Sequence, residues 1–503
     1  MESKPYLMKY SYTKVFLFLI IGFGFITSNL KAQKKTFEYH LTLQGEASTG
    51  KYLPFWLYSN RHGIVSFDSP ESQAIFNFQK NLMNHHSGFD YGFGATLVGR
   101  YSKHKTIFFS QLYGVLSFGP FQLKGGRFYE TLGTVDPSLS MGSLAISPNA
   151  TPLPKITFSV PVYTDVPFTH GYVEFKGQMD HGWFEENRQI HRPWLFQKDG
   201  YLRFGKNWPV RPYIGLTDET QWAGTSPYKG NLTDSFRSFI RVFLNESGHG
   251  TKNRGENIYH LGNTQGIWDF GFYFHFGGYH MILYRQQIYN DKDGLTFQTP
   301  DGMTGLSIKV PQKKQHFIKK VVLEYLYTKN QSGPIPPGGG RGGPGGRDDY
   351  YNNYIYRSGW TYEKRTIGNP LFLNAYNPQL KIVANPHLNT KNPYGIANNR
   401  IVAQHIGLRG QFSKSLSYKV LLTRSINYGN YYDGDLYRKK GLKTDFFSRP
   451  KQWSFLTKFS FQPTSDSYKS LTINLSLAGD FGQLYQNRMG IMVGLKFRGT
   501  SSF

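Results

Sequence analysis

Apolar and polar residues alternate with a period of two along most of this chain. Phe89, Tyr91, Phe93, Ala95 and Leu97 alternate with Asp90, Gly92, Gly94 and Thr96. Phe270, Phe272, Phe274 and Phe276 alternate with Gly271, Tyr273 and His275. The pattern returns at Leu416–Leu422, Trp453–Phe461, Leu471–Leu477 and Ile491–Phe497. Alternate side chains of a strand point to opposite faces. Each stretch therefore predicts a strand with one apolar, aromatic face and one small, polar or charged face. A half-buried soluble sheet gives the same pattern, so one strand decides nothing. Its recurrence up to the terminal Phe503 predicts an all-β chain: a large closed antiparallel transmembrane β-barrel, lipid outside and water or a plug inside. A mature chain of roughly 470 residues fits about 16–18 tilted strands.

Two segments break the alternation. In Asp234–Leu244, Phe236, Phe239, Ile240, Phe243 and Leu244 recur at helical spacing, with Asp234 as N-cap and Gly248 and Gly250 as stop signals. Arg237 and Arg241 lie one turn apart on its polar side. Two readings stay open: an amphipathic helix packed on the barrel or in a loop, or a lid or plug whose arginines face an anionic ligand. The second segment, residues 330–347, is dominated by Gly and Pro. It predicts a long loop without a packed core, between the strand Ile318–Tyr327 and Tyr350–Trp360.

The N-terminus changes the picture from sheet protein to exported protein. Val15–Ile26 is an uninterrupted apolar run preceded by lysines, and Leu30-Lys31-Ala32 offers a cleavage site. Residues 1–32 are expected to be a signal peptide, and residues 33–503 the barrel. Twelve residues are too few to span ~30 Å of hydrocarbon as a helix. No later stretch has the apolar length of a membrane helix, so a membrane-embedded mature chain must be a closed barrel. The expected location is the cell outer membrane, with outer-membrane lipid and the barrel assembly machinery as partners.

Charge narrows the ligand. The formal net charge is +26. Lys4, Lys9, Lys14 and Lys31 against Glu2 account for +3 of it, leaving +23 on the mature chain. A basic surface favours polyanions; export argues against nucleic acid and for an acidic polysaccharide or lipopolysaccharide phosphates. Cysteine is absent, which removes disulfides, thiol nucleophiles and Cys-based zinc sites. No GxSxG, HExxH or P-loop occurs, so no enzyme, metal or cofactor is expected. His85-His86 lacks a third ligand nearby. Glu185-Glu186 and Asp218/Glu219 are acid pairs of the type a glycosidase uses, though exposed turn acids explain them as well.

Aromatics mixed with polar and basic groups outside the strands stand out. Tyr350, Tyr351, Tyr354, Tyr356 and Trp360 follow the Gly-rich stretch, with Arg347, Asp348 and Asp349 beside them, and Trp222 precedes a turn. Sugar C–H faces lie well on aromatic rings, and Arg or Asp satisfies their polar groups. The carbohydrate-binding candidates are therefore Trp222, Arg237, Arg241, Arg347, Tyr350, Tyr351 and Trp360. The alternative is that these rings are girdle aromatics at the membrane interface.

Several ordered blocks resemble the capsule assembly Wzi family. They are Tyr52–Gly63, Gly142–Tyr163, His170–Gly177, Gln189–Lys198, Gln221–Gly224, Gly368–Ala375 and Asn399–Gly410. Thr151 stands where the family often has a basic residue, and Ala223 where a second glycine is usual. The strand-like start after Gln33 leaves little room for the periplasmic helical bundle of some members. The resemblance implies a barrel of about 18 strands with its lumen blocked by loops and short helices. It also implies a lectin that holds capsular polysaccharide at the cell surface and is not a catalyst. A channel or porin for small solutes is the alternative on the same barrel.

Overall fold

The computed structural model describes residues 36–82, 88–227, 229–248, 261–290, 300–311, 317–331, 348–379, 395–430, 449–465 and 470–502. Residues 1–32, the His85-His86 pair, the Gly-rich residues 332–347 with Arg347, and Phe503 lie outside them.

Eighteen strands form one antiparallel sheet closed into a barrel. They are β1 Thr36–Ser48, β2 Glu71–Lys80, β3 Phe89–Tyr101, β4 Lys105–Phe118, β5 Phe121–Arg127 and β6 Lys155–Asp165. β7 Val173–Trp183, β8 Trp194–Phe204, β9 Val210–Trp222, β10 Asn263–Phe276, β11 Tyr279–Tyr289 and β12 Gly302–Lys309 follow. β13 Ile318–Tyr327, β14 Ile401–Gln411, β15 Leu416–Asn427, β16 Lys451–Phe461, β17 Leu471–Gly482 and β18 Arg488–Ser502 complete the ring. Each pairs with its chain neighbours, and β1 meets β18 from Thr36↔Ser502 to Ser48↔Gly490. Closure leaves no sheet edge and pairs the backbone groups that hydrocarbon cannot solvate.

The alternating pattern maps onto the two faces as expected. Leu43, Phe76, Ile214, Phe272, Ile406 and Leu475 stand exposed on the outside, forming the lipid-facing row. Thr472, Ser476 and Asp480 of β17 are buried on the other face. Leu475→Arg should therefore cost roughly 2–4 kcal/mol near the midplane. Asn474→Arg, whose native side chain accepts from Ser460 Oγ at 2.7 Å inside the barrel, should cost clearly less. Denaturant unfolding in lipid vesicles measures both, and equal costs would contradict the assignment of faces.

Connections at one rim are short. Most of those at the other rim are long, which in barrels of this kind is the rim facing the cell exterior. The loops 49–70, 128–154 and 348–379 start there and fold into the lumen. The main apolar core lies inside the barrel: Trp56, Leu139, Leu144, Tyr351, Trp360 and Phe372 from the loops meet wall residues such as Leu195, Val322 and Leu456. The four-residue helix α1, Phe55–Tyr58, is wholly buried there.

The second helix corrects one expectation. α2 runs Phe236–Leu244; its cap is Ser235, whose hydroxyl accepts from Ser238 N, and not Asp234. It ends at Asn245 in the left-handed conformation, before the glycines expected to stop it. It packs on the outer wall instead of blocking the lumen. Phe239 and Phe243 cover Phe196 at ring distances of 5.4 and 5.9 Å, and Phe239 approaches Trp222 at 6.1 Å. Phe196 shares the even-numbered row of β8 with exposed Leu202, and Trp222 that of β9 with exposed Ile214. Below it, Asn245 Nδ2 donates to Asp218, which also sits 3.4 Å from Lys198. The helix thus covers an outward-facing ion pair, and its amphipathic pattern is satisfied by the wall.

Candidate functional site

The plug is held by carboxylates that the strands point inward. Asp269 accepts from Thr134 N (2.6 Å), Tyr213 OH (2.8 Å) and Gln286 Nε2 (3.2 Å). Glu324 accepts from Met141 N (2.6 Å), Ser140 Oγ and Tyr284 OH. Asp480 accepts from Phe55 N (3.0 Å), Ser454 Oγ (2.7 Å) and Arg488 Nε (3.1 Å). Each is buried and meets three donors, some from the plug and some from the wall, so the desolvated carboxylate is compensated only when the two are docked. His405 adds a fourth anchor, with one ring nitrogen 2.7 Å from Leu139 O and the other 2.7 Å from Thr423 Oγ1.

The loops then lock onto each other. Asn369 Nδ2 donates to Gly142 O (2.6 Å), Asn149 Nδ2 to Thr366 O (2.8 Å) and Gly63 N to Asn149 O (3.1 Å). Gly63 has φ +67°, and a Cβ there would come within 2.4 Å of Thr151 Oγ1, so close packing and a left-handed backbone both require glycine. Arg365 donates to Val65 O and lies over the Phe67 ring at 4.0 Å. Burial pulls its guanidinium down to about 10, which leaves it charged at neutral pH. Of the seven blocks that carry the family resemblance, 52–63, the first half of 142–163 and 368–375 build this plug, whereas 170–177, 189–198, 221–224 and 399–410 lie largely in or beside the wall strands. Ala223, where a glycine is usual, has φ +56°, the left-handed region that favours glycine.

Four of the seven sequence candidates are buried groups. Tyr350, Tyr351 and Trp360 are at most 1 % exposed. Tyr350 OH donates to Asp301 (3.0 Å), Tyr351 OH to Leu144 O, and the Trp360 ring packs 6.1 Å from Phe184. Trp222 is buried beneath α2 on the outer wall. All four rings are buried, so none presents an exposed face in this structure. Arg237 and Arg241 are on α2, outside the barrel, with Arg241 Nη1 donating to Gly248 O at 2.8 Å. The structure brings the three plug aromatics together and separates them from Trp222 and the arginines. The acid pairs also resolve: Glu185 pairs with Arg188 (3.2 Å) and Glu186 with Arg192 (2.6 Å). Asp218 and Glu219, adjacent in β9, point to opposite faces of the wall and cannot act on one bond.

What faces outward at the mouth is a different set. Tyr354 (43 % exposed) and Tyr376 (37 % exposed) present rings to solvent. Arg357 Nε donates to Tyr354 O at 3.2 Å. Exposed Glu363 lies 3.6 Å from Arg127, with Lys364 next to it. Beneath them, buried Arg188 ties the mouth down through Gly359 O (2.9 Å) and Glu185. Burial lowers its guanidinium while Glu185 opposes the shift. Tyr354 belonged to the aromatic segment seen in the sequence; Tyr376 carried no signal there, because exposure depends on which loop covers it. Aromatic faces beside cations can hold a sugar chain, stacking on its C–H faces and pairing with its acidic groups.

Comparison with known proteins places the chain. The family model described as capsule assembly protein Wzi matches residues 36–392. No curated protein matches it in sequence. A solved Escherichia coli structure is similar over 91 % of this chain and 84 % of that one, at 14 % identity and TM-score 0.53. It is described as Wzi, an outer membrane protein involved in group 1 capsule assembly and a carbohydrate-binding β-barrel. At that identity the likeness shows the shared barrel fold. OccAB4 of Acinetobacter baumannii (9 % identity, 93 % of this chain and 99 % of that one, TM-score 0.46) is more distant in shape. So is OccD3 of Pseudomonas aeruginosa (10 %, 94 % and 93 %, 0.44).

Proposed function

The chain belongs to the capsule assembly protein Wzi family, and from that premise we propose that it is an outer-membrane lectin that binds exported surface polysaccharide and retains it on the cell. The observation that carries this reading is the packed lumen: loops 49–70, 128–154 and 348–379 build an apolar core inside the barrel, and the last of them carries exposed Tyr354, Tyr376 and Lys364 together with Arg357. A solute channel needs a continuous water path. A polymer-holding surface needs a rigid, chemically mixed face, which a plug anchored at Asp269, Glu324 and Asp480 supplies.

The action is binding without bond cleavage. Tyrosine rings take sugar faces, and the cations take carboxylates or phosphates of an acidic repeat. Tyr350, Tyr351 and Trp360 contribute as positioning residues beneath the mouth. Each contact is weak, and retention comes from many repeats rebinding on many copies of the protein. Export through the Val15–Ile26 leader, insertion by the barrel assembly machinery and a lipid-facing outer wall belong to the same reading.

The test is a strain lacking the gene, complemented with parent or variant, scored for cell-bound against shed polysaccharide. Single substitutions should do little. Tyr354→Ala with Tyr376→Ala and Arg357→Ala should shift most of the polymer into the medium while the barrel stays at the surface in parent amounts. Raised ionic strength should release an acidic polymer from the parent as well, because salt screens its contacts. Normal retention by the triple variant would move the site away from the mouth, and normal retention by the null strain would remove the proposed function.

A further inference from the structure

A second cluster of charge lies off the mouth, on the outer wall. The β13–β16 ladder continues upward past its named ends: Thr328 N bonds Ile401 O (2.8 Å) and Tyr428 N bonds Arg400 O (2.9 Å). Thr328, Ile401 and Asn427 are buried on the luminal side. Their alternating neighbours Lys329, Arg400 and Tyr428 therefore face outward. Arg424 lies two positions lower on the same outward row, and Lys451 pairs with outward-facing Ile426. Lys329 Nζ sits 4.8 Å and Arg449 Cζ 5.9 Å from the centre of the Tyr428 ring, and Arg424 Cζ 5.9 Å from that of Trp453.

Five cations thus gather on four adjacent strands, at the long-loop rim. Among the described residues of these strands no carboxylate shares the outward row; Glu324 points inward to the plug, and Asp301 at the adjoining rim is buried and accepts from Asn330 N and Gln331 N. Tyr325 and Trp453, exposed, share the cross-strand row of Arg424 through Gln404, and exposed Ile406 lies below that row, an apolar and aromatic surface of the kind that meets lipid at the interface. Cations in and above an interfacial aromatic row are at the level where headgroups lie. Arginine in particular matches a phosphate with two parallel donors.

We propose that this patch binds the phosphate groups of an outer-leaflet anionic glycolipid, fixing the depth and tilt of the barrel independently of any polymer at the mouth. The occupant is lipid because the patch continues the lipid-facing wall and points sideways, whereas the mouth tyrosines point out of the membrane plane.

The full-length protein in detergent is mixed with diphosphoryl lipid A, and bound lipid is counted by native mass spectrometry. Lys329→Gln with Arg424→Gln and Arg449→Gln is compared with Lys206→Gln, Lys309→Gln and Lys414→Gln at the opposite rim, which removes the same charge. Arg400 is kept because its Nε donates to Lys329 O at 3.0 Å. The patch variant should retain lipid A on the order of tenfold less well, the control as well as the parent, and a dephosphorylated lipid A should bind the parent weakly. Equal loss in both variants, unchanged binding in the patch variant, or indifference to the phosphates overturns the proposal. Loss of an acidic polysaccharide such as polygalacturonate with lipid A binding intact would overturn it too, and assign the patch to the polymer. Inorganic pyrophosphate at millimolar concentration should compete poorly; full displacement would mean a soluble-anion site and no lipid site. Heat-modifiable gel mobility checks that both variants remain folded.

Discussion

A protein in which residues 132–150 are replaced by a short Gly-Ser linker should conduct ions steadily in a planar bilayer, on the order of tenfold or more above the parent, since an 18-stranded ring is wide enough for an aqueous channel. The segment removed supplies Thr134 N to Asp269, Met141 N and Ser140 Oγ to Glu324, and Leu139 O to His405. It also supplies Gly142 O and Asn149 to the loop above. Taking the same groups from a soluble core would leave buried charges and collapse the fold. Here the freed acids line a lumen that water can enter, so their charge is hydrated instead of stranded. The barrel keeps its closed ladder, β1 to β18 included, and should keep its heat-modifiable mobility. Single-channel recording decides the matter. A folded deletion variant that conducts no more than the parent would show that loops 49–70 and 348–379 seal the lumen alone.

Trp360→Ala should destabilise the plug by about 3–5 kcal/mol, the usual range for removing a large buried aromatic, while leaving the barrel intact. The ring is 1 % exposed, packs against Phe184 and sits on the Ala145 carbonyl; its backbone N–H donates to Tyr351 O at 2.7 Å. Loss should appear as faster hydrogen exchange in residues 348–379 and 142–150 with strand protection unchanged. Combining it with Tyr350→Ala and Tyr351→Ala removes the Asp301 and Leu144 contacts as well and should melt the loop. Polysaccharide release by that variant would report a collapsed support. Release by the Tyr354/Tyr376/Arg357 variant, with exchange protection at parent level, would report a lost surface. Unchanged exchange after Trp360→Ala would falsify the view of this ring as a packing element.

The barrel was legible in the chain because its cause is local. Successive side chains of a strand must face opposite ways, so lipid on one side and a polar interior on the other print a period of two. Leu471–Leu477 and Ile491–Phe497 declare their outer rows without any tertiary information, and their strands pair in register as β17 and β18. The helix at 236–244 was legible for the same reason, through its spacing. Which surface it satisfies was not: an apolar stripe fits a lumen or an outer wall equally well, and only the pairing of Phe239 and Phe243 with outward-facing Phe196 decides it. The aromatic cluster at 350–360 was visible in the sequence, but which of its rings are buried was not. A Tyr beside a Gly-rich stretch reads the same whether its ring is buried against Leu144 and Phe372, as Tyr351 is, or partly exposed like Tyr354. The contacts that separate these cases join residues about 200 positions apart, such as Tyr351 to Leu144. Such contacts depend on where three loops meet inside a closed wall. By itself the sequence determined the wall, through the alternation of its side chains. The tertiary structure decided what fills the wall and which side chains are left facing out, because burial belongs to the assembled loops and not to any stretch of chain.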